Sequence, residues 1–222
     1  MKNHNYLTYI KIIVCCLIFF FVPYLTEILR SFVESRTISL TLVVSTAAMM
    51  LIFLNYQLAG LHWKRFLANL KENCVYILFS ALYVWAVYYL SARFFFFQSE
   101  SIDPLILKSY PFFAPMILIT YTFSYSFCIN IVFKLLTDKL HFKVEPQINI
   151  LISGILFGLF LAVSQFAVLP LISGQFDTLI FYKGFLVNFM ISLCISYCYN
   201  QTSTVVPMTF GFTLALLFAV LF

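Results

Sequence analysis

In its last third, this chain of 222 residues offers chemistry only two cysteines and a ladder of small polar side chains. Cys194 and Cys198 are one helical turn apart on one face, a spacing that could bring two thiolates to a metal ion. No histidine or carboxylate lies near them in sequence. Between Pro146 and Phe222 the only formally charged side chains are Asp177 and Lys183. Without further ligands, the pair reads as the small, polarizable side chains of a buried helix. Cys15, Cys16, Cys74 and Cys128 also fall inside apolar runs. His4, His62 and His141 lie at the amino terminus or between apolar runs, where a solvated imidazole is expected. No metal or other cofactor is implied by this inventory.

Two four-residue periodicities carry more information. Gly184, Asn188, Ser192, Ser196 and Asn200 form a slowly drifting polar stripe. A lone amide in hydrocarbon is expensive, so the stripe must face a bundle interior or a hydrated cavity. Interhelical hydrogen bonding and a ligand path both fit. Gly154, Gly158 and Ala162 make a small-xxx-small face that lets a second helix approach closely. Lys183, near the start of its helix, reads as an interface side chain that snorkels.

The elements that must position these residues are membrane helices. Only 9% of the residues are charged and 63% are hydrophobic, against about 25% charged in a soluble domain. A core of this size could not hide so much apolar surface from water, so the solvent is lipid. The net charge of +5 is scattered rather than clustered, which suits an anionic membrane surface and gives no sign of nucleic acid. Uncharged runs cover 12–26, 37–61, 73–92, 109–133 and 146–176. The last apolar stretch, 178–222, is broken only by Lys183 and is divided in two by the polar residues Asn200 to Thr204. Seven helical spans are expected, most near the roughly 20 residues that cross a bilayer. The fold class is an all-α, polytopic membrane bundle in one domain, 1–222, with three helices in 1–108 and a core in 109–222. The first run resembles a secretion signal but lacks a small-x-small cleavage site and meets Pro23, so it is expected to be retained.

Residues 150–163, ILISGILFGLFLAV, resemble the second signature helix of the CPBP family, the CAAX protease and bacteriocin-processing membrane endopeptidases. Residues 181–207 resemble the next helix and turn, with a proline opening the last helix, and INIVFKLL from 129 is similar to the first signature. The likeness covers about 121–222 and implies a CPBP-like helical core. It also implies where catalytic groups would stand. The family's Glu-Glu pair falls on Ile129 and Asn130, its Arg on Lys134, one His on Leu161, and the last motif near Phe212 and Leu216. There is no adjacent Glu pair anywhere and no His after His141. An amide cannot act as a base near neutral pH, and Lys134, at the end of its span, is expected to be solvated.

The expected function is therefore non-catalytic binding of a membrane-active peptide or a membrane partner. The resemblance implies bacteriocin self-immunity or regulation in a bacterial cell membrane. An active CAAX-type endopeptidase and a small transporter or channel subunit are the alternatives. No catalytic residue is assigned; the candidate binding or pocket residues are Asn130, Lys134, Gln165, Asn188 and Ser192, with Gly154, Gly158 and Ala162 for helix packing. Across seven spans, eight of the 13 Lys and Arg fall on the side of the amino terminus and five on the other. The positive-inside tendency places the amino terminus in the cytoplasm.

Overall fold

The computed structural model describes residues 2–33, 35–95, 113–137, 145–167, 170, 174 and 176–221, and among these all regular structure is helical. Apolar segments in lipid must satisfy their backbone groups internally, and the helix does so within one segment. The described helices are α1 (Lys2–Phe20), α2 (Val22–Arg30), α3 (Arg36–Leu54), α4 (Tyr56–Ala68), α5 (Leu70–Phe95), α6 (Ala114–Thr137), α7 (Pro146–Phe166), α8 (Thr178–Thr202) and α9 (Val206–Leu221). Five of them, α3 and α5 to α8, are long and apolar enough to cross a membrane. The pair α1–α2, bent by 42°, makes a sixth if it counts as one span.

The breaks follow from particular residues. Pro23 sits in the first turn of α2 and cannot donate back into α1, so the expected single run 12–26 is bent at Phe21. The uncharged run 37–61 is not one helix either. Asn55, buried and outside helical geometry at φ −127°, ends α3 and starts α4. Its Nδ2 donates to the Leu51 carbonyl at 3.0 Å and to the Cys15 Sγ at 3.4 Å. Cutting a sequence at its charges cannot see a break made by a neutral, satisfied amide. His62, Lys64 and Arg65 therefore lie on a helix rather than in a loop. The run 146–176 also ends early as a helix, at Phe166. Asp177 accepts from the Leu179 and Ile180 amides at 2.7 and 3.3 Å, so one of the two late charges is the N-cap of α8. Ser203 turns the chain through φ 52°, and Pro207 stands in the first turn of α9.

α8 packs along α7, α9 along α5 and α6, and α3 along α6. Between α7 and α8 the approach is set by glycine. A Cβ on Gly158 would stand 2.7 Å from the Phe189 Cα, and one on Gly154 2.6 Å from the Leu193 side chain. Ala162 is fully buried. A side chain on Gly184 would meet the Phe166 ring at 2.5 Å. The pairs 154·193, 158·189 and 166·184 run in opposite senses, so the two helices are antiparallel. The core between the helices is aromatic, with Phe133 edge-on to Phe157 at 5.2 Å and Phe157 stacked on Phe160 at 5.9 Å.

Candidate functional site

The α7–α8 contact brings two of the sequence candidates together. Asn188 Nδ2 donates to Gln165 Oε1 at 3.0 Å, and Gln165 Nε2 donates to the Tyr125 hydroxyl at 2.5 Å. Three helices, α8, α7 and α6, are thereby joined by one chain of polar bonds. The glycine face makes this possible, since the short interhelical distance at Gly158 lets two neutral amides meet further along the same interface. Aromatic rings surround the phenol. Tyr125 stacks on Tyr121 at 5.8 Å and on Phe212 at 6.4 Å, with Phe19 at 6.3 Å. Inside a low-dielectric bundle such bonds are individually strong, and an unmade one is costly.

The rest of the α8 stripe faces inward for most of its length. Gly184, Asn188, Ser192 and Ser196 are buried, and Asn200, at the end of the helix, is exposed. Ser192 does not reach a neighbouring helix: its hydroxyl donates to the Asn188 carbonyl at 2.6 Å. That bond satisfies the hydroxyl within its own helix and leaves the Asn188 amide to make the contact to α7.

Asn130 and Lys134 lie further along α6 than Tyr125, by about 7.5 and 13.5 Å at 1.5 Å per residue. Asn130 is fully buried. Its Nδ2 donates to the Ser126 carbonyl at 2.7 Å, while no described group donates to its Oδ1. Lys134 corrects an expectation. It stands near the end of its helix yet is only 6% exposed. Tyr199 of α8 stands over it, with its ring centroid 4.9 Å from the Lys134 Nζ, a cation–π arrangement. His62 is a second correction. It is 1% exposed rather than solvated, because α4 folds it against the bundle with its ring 6.3 Å from Tyr199. His141 lies outside the described residues, and His4 lies in the first turns of α1.

Sequence reasoning missed Tyr125, Tyr199 and His62. The four-residue spacing of Tyr121 and Tyr125 is a readable signal for the first; nothing local marks the other two, which are brought together by side-chain contacts of α4 and α6 with Tyr199 of α8. At the positions where the resemblance would put catalytic imidazoles, Leu161 and Phe212 are buried and packed. Among the described residues no group of three or more His, Cys, Asp or Glu is placed to hold a metal ion. What the site can do is donate and accept hydrogen bonds through amides, hydroxyls and a phenol, with a sheltered cation about 13.5 Å further along α6. No family model matches this chain, and no curated protein or solved structure does.

Proposed function

We propose that this chain is a seven-span, CPBP-like protein of a bacterial cell membrane that binds a membrane-active peptide or a membrane protein partner without cleaving it. The part-buried chain Asn188–Gln165–Tyr125 carries this reading. These groups can exchange their mutual bonds for bonds to a peptide backbone in lipid, and neither an amide nor a neutral phenol takes a proton from water near pH 7. Such binding would serve self-immunity to a bacteriocin or the regulation of a partner. The seventh span is α9, whose 16 residues reach about 24 Å at 1.5 Å each. Local thinning of the bilayer accommodates the shortfall.

The test uses purified protein in liposomes with a set of cationic membrane-active peptides. The expected result is retention of intact peptide, weakened by Asn188→Leu in a folded protein. Peptide fragments whose formation stops in Asn130→Ala or Lys134→Ala would establish an intramembrane endopeptidase instead. Solute flux across the liposomes would establish a transporter.

A further inference from the structure

α4 is held where three turns of the chain meet. It bridges α3 and α5, two helices apolar and long enough to cross a membrane, within residues 55–69. Its own 13 residues span about 20 Å, short of the roughly 30 Å hydrocarbon core. Arg65 Nη1 donates to the Ser203 carbonyl at 3.3 Å, and the Thr204 hydroxyl donates to the His62 carbonyl at 3.0 Å. Those bonds fix α4 on the α8–α9 turn, another point where the chain reverses. The helix must therefore lie at a membrane surface.

The face that α4 turns away from the bundle mixes apolar and cationic groups. His62 and Phe66 are buried, while Tyr56, Leu61, Leu67 and Trp63, the last 47% exposed, are not. Lys64, Arg65 and Lys71 are exposed beside them, with Glu72 the nearest acidic residue in sequence. The ion pairs among the described residues join Glu27 to Arg30 and Arg36, so none of these three cations has an acidic partner there. An exposed indole next to such cations at the end of two spans matches the interface of an anionic leaflet.

We propose that α4 is an interfacial helix and that Lys64, Arg65 and Lys71 bind the headgroup of an anionic phospholipid, with Trp63 seated at the glycerol level. The inference rests on the chain spanning a membrane and is independent of any peptide ligand.

The test isolates Trp63 as sole indole by Trp85→Phe, in full-length protein reconstituted into phosphatidylcholine vesicles containing one-fifth phosphatidylglycerol. Bromine labels are placed at shallow or deep acyl positions of either lipid. Shallow labels should quench Trp63 more than deep ones. Brominated phosphatidylglycerol should be enriched around it by about fivefold over brominated phosphatidylcholine, the factor that about 1 kcal/mol of attraction from one basic side chain gives. The preference should fall toward unity in the triple variant K64Q/R65Q/K71Q and survive in Lys183→Gln. Should the triple variant fail to fold, single Lys64→Gln should still reduce it. Inorganic phosphate at millimolar concentration should not displace the lipid. Equal quenching by both lipids, no quenching by either, or displacement by free phosphate would overturn the proposal.

Discussion

The Asn188 amide donates to the Gln165 carbonyl oxygen at 3.0 Å, across the helix pair that Gly158 allows to close. Two neutral amides in lipid are tolerated because the Gln165 oxygen accepts from Asn188 and the Gln165 amide nitrogen donates to Tyr125. One contact thus joins packing and polarity. The small face of α7 and the polar stripe of α8, separate signals in the sequence, are parts of the same interface.

The coupling between these two residues is measurable by a double-mutant cycle of Asn188→Leu, Gln165→Leu and the pair, with unfolding followed in detergent. Interhelical hydrogen bonds in membrane proteins average about 0.6 kcal/mol and reach about 1.7. A coupling in that range is expected. Strict additivity would mean that the bond does not contribute to folding.

Gly158 and Gly60 should respond oppositely to a side chain. A Cβ on Gly158 meets the Phe189 backbone, whereas one on Gly60 meets nothing within 4 Å. Gly158→Leu should cost about 1 to 3 kcal/mol through overpacking. Gly60→Ala, on the open face of α4, should gain about 0.5 to 1 kcal/mol of helix propensity. Thermal unfolding of the two variants beside the parent decides both.

The long helices α3 and α5 to α8 are legible in the sequence because each apolar run is local, and the polar break at 200–204 is marked by five consecutive polar residues. The small face on α7 and the stripe on α8 are periodic, so their inward faces are readable too. Gly211 and Ala215 carry the same spacing without a longer repeat to mark it, although a side chain on Gly211 would collide with Ser80 and Ile77 of α5. The burial of Lys134 and His62 is not legible. It depends on Tyr199, far from both in sequence, and on a turn at Asn55 that neither charge nor hydropathy marks.

The topology has its own test. Under the proposed topology, with the amino terminus in the cytoplasm and seven spans, a periplasm-active reporter fused after Phe222 should be active, and one fused after Gln201 should be silent. The charge margin, eight against five, sets the expected sense. The reverse pattern would invert the bundle and put α4 on the outer leaflet.

Asn130→Leu should stabilise the protein. The carboxamide is fully buried, and its one described bond, to the Ser126 carbonyl at 2.7 Å, shares an acceptor that the helix backbone already uses. Its Oδ1 receives no donor from any described residue, and desolvating an unpaired acceptor costs about 1 to 3 kcal/mol. Leucine has nearly the same shape and removes that cost while losing only a weak secondary bond. A gain of about 1 kcal/mol in unfolding free energy is therefore expected. Destabilisation would mean that Oδ1 already has a donor, such as an internal water. A gain in stability accompanied by loss of peptide retention would show that the chain keeps a costly buried amide for its ligand. Unsatisfied groups of this kind persist in native proteins for such reasons. The two measurements together separate a packing residue from a binding one.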